Sequence, residues 1–309
     1  MSCATGFWLK SGAVHESFQR LFTIPGGGNT LSFKGTYVDG RWGAGCLESA
    51  DGLSSVPVRS GIPRFVESAD DPWTPDAVQQ IRDQYGIDPG KLIELDVTKI
   101  LHHWPDRQLY DVWIKEIAKV KGPIVEIACG PGGGMAPLIL DANPEATILM
   151  TDVGGWILEQ WQSYVTRRGD WLNVSFAQFD ATSAPLRSES VAMVTSLGGL
   201  SNVADQAATL LEIRRMLEPG GRLCIIEALP DRESFELLPT DVKSRFSGEY
   251  QAITKGFDRL LTDAGFEITD MTQTTARQLS PAESSLAKAA SQYGVKLSLG
   301  FFRITALPI

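Results

Sequence analysis

The stretch "IVEIACGPGGGMAPLIL", residues 124–140, runs from an apolar segment through Gly130, Gly132, Gly133 and Gly134 into a second apolar segment. Glycines packed this closely leave the backbone bare. If a helix follows, its unpaired N–H groups and the positive end of its dipole can meet a polar or anionic ligand. Three carboxylates stand near the places where strands would end. Glu126 precedes the turn, Asp152 follows Gly132 by 20 residues, and Asp180 follows Asp152 by 28. A carboxylate so placed accepts hydrogen bonds from hydroxyl or amino groups, or faces a cation.

Three ligands use a glycine-rich turn between strand and helix. A nucleoside triphosphate needs Gly-Lys followed by Ser or Thr, but Met135 and Ala136 follow Gly134, so that reading fails. A dinucleotide asks for G-x-G-x-x-G. Counted from Gly130, Met135 takes the place of the third glycine; counted from Ala128 the pattern is A-x-G-x-x-G, which stays open. The third ligand is S-adenosylmethionine, held by an acid on the strand and then G-x-G-x-G. Glu126, Ala128, Gly130 and Gly132 occupy those places, with Ala for the first Gly. This ligand carries an ammonium group where a dinucleotide carries a diphosphate, and a carboxylate attracts the one and repels the other. Asp152 suits a ribose diol in either case.

The stretch "FDATSAPLRSESVAMV" places Asp180-Ala181 at the end of one strand and leads into the next. It resembles the D-A-x-x-L-P-F-x-x-x-S-F-D stretch of class I methyltransferases. The following "SLGGLSNVADQAATLLEIRRMLEPGGRLCIIEAL" is similar to that family's E-x-x-R-x-L-x-P-G-G turn through Glu212, Arg215, Leu217, Pro219, Gly220 and Gly221. The likeness spans about residues 122–302 and points to the small-molecule, type-11-like branch. It implies S-adenosylmethionine as cofactor and S-adenosylhomocysteine as product. The cofactor residues it implies are Glu126, Ala128, Gly130, Gly132, Asp152, Val153, Asp180, Ala181 and Ser196, with Asp180 taking the adenine amino group.

The elements needed to position these groups follow from periodicity. From residue 122, apolar runs at 124–128, 147–152, 174–180, 191–197 and 222–229 alternate with helical patterns at 133–142, 155–169 and 204–217. Buried runs between helices describe a parallel sheet covered on both faces. A helix at 250–264 and an antiparallel pair, 266–273 with 297–308, close the chain. The expected fold is α/β, doubly wound, with a mostly parallel seven-stranded sheet of the class I methyltransferase kind and a small β-rich N-terminal lid. The expected division is a lid over 1–72, a helical cap over 73–121 and a cofactor-binding domain over 122–309. Helices are expected at 74–86 and 105–120.

The lid segment "LESADGLSSVPVRSGIPRFV" (47–66) resembles the tail of a small zinc-ribbon module fused to some methyltransferases, including ribosomal RNA enzymes. The paired cysteines of that module are missing and Ser60 replaces its usual Asp, so no metal is expected. Cys3, Cys46, Cys129 and Cys224 lie far apart, and His15, His102 and His103 show no ligand spacing. A net charge of -9 and a pI near 5.0 argue against a nucleic-acid partner. No apolar run reaches the ~20 residues of a membrane span, and the first residues lack a signal-peptide core. The expectation is a cytoplasmic enzyme with a small-molecule acceptor.

The acceptor is the open question. No residue stands out as a base; His102 and His103 are the candidates, and the catalytic residue stays unassigned. The post-strand stretch Ser196-Leu197-Gly198-Gly199-Leu200 lacks the N/D-P-P-Y/F pattern of amide-nitrogen methylation. A thioether or thiol, such as methionine, needs little base, and aromatic faces stabilise the cation it forms. Candidate pocket residues are Tyr37, Trp42, Tyr85, Trp104, Asn202 and Tyr250, with Arg41 or Arg64 to hold an acceptor carboxylate. Methylation of oxygen or nitrogen in a metabolite, or of RNA, is the alternative.

Overall fold

The computed structural model describes residues 14–25, 28–38, 41–67, 71, 73–85, 91–103, 107–246, 252–253, 255–281 and 285–309, and the side chains of residues 75, 81, 84 and 85 fall outside that set. The glycine-punctuated N-terminal segment forms an antiparallel meander of β1 (Leu31–Val38), β2 (Arg41–Ser49), β3 (Ser55–Arg59) and β4 (Ile62–Pro63). This is the small β-rich lid. It joins the main body through β-bridges from Arg64 to Gln178 and from Phe22 to Leu186. Trp42 fills its centre, stacked on Phe33 at 4.8 Å and tilted against Phe22 at 5.6 Å.

The apolar runs from residue 122 onward become β5 (Ile124–Glu126), β6 (Ile148–Asp152), β7 (Val174–Gln178), β8 (Val191–Leu197) and β9 (Leu217–Pro230), all mutually parallel. Every residue of β5, β6 and β7 is buried, as strands covered on two faces require. The chain closes with β10 (Phe266–Gln278) and β11 (Ser298–Pro308). The seven strands lie in the order β10-β11-β9-β8-β5-β6-β7, and β11 runs against its two neighbours. This is the doubly wound, mostly parallel sheet expected from the sequence. Its order reverses beside β5, so β5, β6 and β8 bring their carboxyl ends to the crevice where such sheets bind ligands.

The helices flanking that crevice are set by local signals. The helix Gly155–Arg168 ends on Gly169, whose φ of 79° gives the left-handed cap that glycine favours. The helix Gln206–Met216 starts on Asp205, whose side chain accepts from the Ala208 N–H at 2.9 Å. The helix expected over 133–142 begins later, at Ala136, because Gly133 and Gly134 hold positive φ values of 74° and 61°. The helix expected over 105–120 is shorter still: Asp111–Ile117 is α-helical, preceded by a π-helical turn at Lys99–His103 and a 3-10 turn at Arg107–Leu109. The helix expected over 74–86 is seen as Pro75–Tyr85.

Strand β9 begins before the Pro219-Gly220-Gly221 turn that was expected to precede it, with its register shifted against β8 between Val191 and Met193. Short helices at Arg232–Glu236, Thr240–Arg245 and Ser285–Ser291 were not foreseen. They share a satellite core of Phe235, Leu238, Val242, Leu286 and Leu297. No helix among the described residues is long and apolar enough to cross a membrane.

Candidate active site

A cavity of about 660 Å³ opens at the carboxyl ends of β5, β6, β7 and β8, within the range typical of small-molecule sites. Its floor is the glycine turn: Ala128, Cys129, Gly130, Pro131, Gly132 and Gly134 all line it. Backbone bonds fix the approach, from Ile127 N–H to Thr195 O at 2.9 Å and from Cys129 N–H to Thr151 O at 3.0 Å. Ala128 adopts a φ of +52°, in the region L-residues avoid, at the place where the motif has its first glycine. A Cβ on Gly134 would fall 1.7 Å from Glu126 Oε1, so that position must stay bare for Glu126 to fit beneath the turn.

Asp152 ends β6 and lines the cavity with 8% of its surface exposed. Its Oδ2 accepts from Gly130 N–H and its Oδ1 from Gly154 N–H, both at 2.8 Å. A carboxylate has about four lone-pair sites, so each oxygen keeps one for a ligand such as a vicinal diol. Burial, and to a lesser degree the Asp71 carboxylate, raises the Asp152 pKa above its usual range, while the Gly154, Gly130 and Val153 amides pull the other way. The Gly130 carbonyl is held in turn by Trp161 Nε1–H at 2.8 Å.

Ala128, Gly130, Gly132, Asp152, Val153, Asp180 and Ala181, seven of the nine residues expected around the cofactor, line this cavity. Glu126 and Ser196 lie under it. Glu126 is fully buried, its Oε2 accepts from the Thr195 hydroxyl, and burial pushes its pKa up to about 8. It lies beneath the turn, on the strand that precedes it. Ser196 donates its hydroxyl to Ile127 O at 3.1 Å. One oxygen of Asp180 caps a 3-10 turn through Thr182 N–H and the Thr182 hydroxyl, at 2.8 and 2.7 Å.

The acceptor candidates fare differently. Asn202 lines the cavity, with its amide donating to Gly198 O. Trp42 is a correction: at 2% exposure, it is a core residue of the N-terminal sheet. Arg41 is another, because its guanidinium donates to Leu172 O, on the loop before β7. Arg64 is spent on Glu159 at 2.6 Å and Gln178 at 3.3 Å in a separate polar cleft. Tyr37 stands 57% exposed, edge-on to Phe33, and does not line the cavity. Trp104, Tyr250 and the Tyr85 side chain lie outside the described residues.

Sequence reasoning placed the transferred methyl near Ser196 to Asn202, a stretch that brings Leu197, Gly198 and Gly199 to the lining, but it did not single out Trp73, Ile100, Thr151, Phe179, Val203 and Ala204, which line the cavity as well. Only their position beside the strand ends marks Leu197–Gly199; Trp73 and Ile100 arrive from distant sequence with no local signal. Among the described residues, no group of three or more His, Cys, Asp or Glu is placed to hold a metal ion.

Residues 125–225 match the methyltransferase-domain family. A ubiquinone/menaquinone biosynthesis C-methyltransferase of Shewanella sp. (strain ANA-3) is 24% identical over 193 residues, covering 54% of this chain and 77% of that one. A crystal structure from Bacillus halodurans C-125, described as that of a methyltransferase, superposes with a TM-score of 0.52 at 16% identity. That match covers 63% of this chain and 97% of the other.

Proposed function

We propose that this chain, which belongs to the class I S-adenosylmethionine-dependent methyltransferases, methylates a small molecule whose nucleophile needs no base from the protein, a thioether or thiol such as methionine. One observation carries this reading. Among the described residues lining the cavity, the ionisable side chains are Asp152, Asp180 and Cys129, all toward β5, β6 and β7. Toward β8 the lining is Leu197, Gly198, Gly199, Asn202, Val203 and Ala204. A hydroxyl or ammonium acceptor must shed a proton before or during attack, whereas a thioether attacks as it stands, and a thiol attacks as the thiolate already present in part near neutral pH, its proton having gone to solvent.

Bound S-adenosylmethionine supplies an electrophilic methyl group on its sulfonium. The chain's own residues position and desolvate it. Asp152 accepts from the ribose hydroxyls through its two remaining lone pairs. The bare backbone of Gly130 and Gly132 would admit the methionine portion, while Val153, Asp180 and Ala181 would hold the adenine. Ile100, Leu197 and Val203, which line the cavity, would keep water from the methyl group that the cofactor supplies, as a displacement governed by positioning requires. Residues 122–309 form the cofactor domain in this proposal, with a lid of 1–72 and a helical cap of 73–121.

A second reading has a specific observation behind it. The Shewanella relative acts on carbon, and an electron-rich ring carbon also attacks with little help. Incubation with labelled S-adenosylmethionine and separate panels of thioethers, thiols, quinol-type phenols, tRNA and rRNA distinguishes them. Methyl gain at sulfur supports the first reading and a new carbon–methyl bond the second. Label on RNA alone overturns both.

A further inference from the structure

The cavity has one wall that the family motifs leave unassigned. Trp73 lines it. The Trp73 indole stacks on Trp156, with centroids 5.7 Å apart and planes inclined by 26°. It also lies so close over Gly154 that a Cβ there would fall 2.0 Å from Trp73 Cδ1. Gly154 is also the residue whose N–H holds Asp152 Oδ1 at 2.8 Å. The indole therefore rests on the same turn that aims the carboxylate into the cavity.

Asp71 fixes that placement. Its Oδ1 accepts from Trp73 N–H at 2.9 Å, and its Oδ2 from Gly155 N–H at 2.7 Å and Gln178 Nε2 at 3.3 Å. Gln178 Nε2 donates as well to Val153 O at 2.9 Å. Gly155 also has no room for a side chain, since a Cβ would meet Arg64 Nη1 at 2.2 Å and Asp71 Oδ2 at 3.0 Å. The pair Gly154-Gly155 thus serves as the seat for Asp71 and Trp73, and one carboxylate connects the indole to the ends of both β6 and β7.

We propose that Trp73 is a cofactor-contacting residue that walls the adenosine end of the cavity, and that Asp71 is the positioning residue that holds it there; this rests on the cavity being the S-adenosylmethionine site. The indole offers an apolar face beside the diol-binding carboxylate. It removes water that would compete for the outer lone pairs of Asp152, so the hydrogen bonds made there gain strength.

The test is calorimetric titration of the full chain with S-adenosylhomocysteine, with 5′-methylthioadenosine, which keeps the adenosine, and with homocysteine, which lacks it. Trp73→Ala weakens both adenosine ligands by the same factor, about tenfold, and leaves any homocysteine binding unchanged; Trp73→Phe restores affinity to within about threefold. Asp71→Asn weakens S-adenosylhomocysteine about threefold in the native background and has no further effect in Trp73→Ala. That second result separates positioning through Trp73 from a general structural role. Should Trp73→Ala not fold, Trp73→Leu, which keeps an apolar side chain and removes the ring, produces the same loss. Trp73→Phe then identifies the Trp73 share of any fluorescence change on binding.

Trp73→Ala binding within twofold of native overturns the proposal, as does an Asp71→Asn effect that persists undiminished without the indole. Asp152→Ala is the control for the underlying reading. If it too leaves affinity unchanged, the cavity assignment fails; if it weakens binding while Trp73→Ala does not, only this inference fails.

Discussion

Two tryptophan clusters in this molecule look alike in sequence and differ in use. Trp42 sits in a glycine-rich strand, and Trp73 sits in a proline-flanked segment before a helix. Around Trp42, Phe22 and Phe33 close every gap, with Phe65 stacked on Phe22 at 5.9 Å. Around Trp73 the neighbours are Trp156 on one side and the bare Gly154 below, and the cavity begins beyond. The difference lies in where each cluster meets the large sheet. The Trp42 cluster meets β7 through Phe65 N–H on Gln178 O and lines no part of the cavity, while Trp73 lines the cavity at the carboxyl ends of the strands. An aromatic residue becomes part of a binding site by arriving at that end of the sheet.

The largest expected effect sharpens this contrast. Trp42→Ala removes a fully packed ring and costs about 3–5 kcal/mol of stability, measured by urea denaturation. S-adenosylhomocysteine affinity per folded molecule stays within about twofold. A tenfold loss of turnover per folded molecule at unchanged stability would place Trp42 in the acceptor pocket after all.

Next comes the glycine turn, where two neighbouring glycines should part company. Gly134→Ala meets Glu126 Oε1 at 1.7 Å with φ at +61°, so both strain and overlap fall on a buried carboxyl group. It costs about 3 kcal/mol in the same denaturation experiment. Gly132 has no positive φ, and its Cβ would approach Ile100 Cδ1 at an ordinary 3.4 Å. Gly132→Val therefore folds with stability within about 1 kcal/mol of native yet shows no cofactor binding by titration, because its side chain occupies the cavity. Native-like affinity in that variant breaks the assignment of the turn.

The same contrast explains what was legible in the sequence. The carboxyl ends of β5, β6 and β7 were readable because buried parallel strands are continuous apolar runs, and because Asp152 and the glycine turn break them abruptly. The helices Arg232–Glu236 and Thr240–Arg245 were not, since five or six residues are too few to show a helical period. Trp73 and Ile100 were invisible for another reason: the tertiary fold brings them to a site more than 25 residues away in sequence. Trp42, Arg41 and Arg64 misled because residue type alone does not say which end of a sheet a side chain faces. The burial of Glu126 was legible, since apolar residues flank it on both sides in sequence.

Asp152→Ala is expected to have an intermediate effect on binding. It removes the charged acceptor for the ribose hydroxyls and releases the Gly130 and Gly154 amides that shape the turn. A loss of about 1.5–3 kcal/mol in S-adenosylhomocysteine affinity follows from the usual strength of hydrogen bonds to charged groups, read by calorimetry. Asp152→Asn keeps one acceptor oxygen and should lose less. Equal losses in the two variants would mean that the charge and not the geometry of acceptance carries the interaction.

The pH dependence of stability turns on Glu126, and its sign follows from burial. Desolvation raises its folded pKa from the ordinary 4.5 to about 8, so between those values the folded protein keeps a proton that the unfolded chain has released. Stability from this group is therefore highest below pH 4.5, falls as pH rises, and levels off above about 8. One group can contribute a slope of at most about 1.4 kcal/mol per pH unit. Glu126→Gln keeps an acceptor for the Thr195 hydroxyl but cannot ionise, so its stability should fall less between pH 5 and pH 8 than that of the native protein. Urea denaturation of both proteins at pH 5, 6.5 and 8 tests this directly. If the two curves run parallel across that range, Glu126 is ionised throughout in the folded state, and the turn rests on a buried charge paired from below.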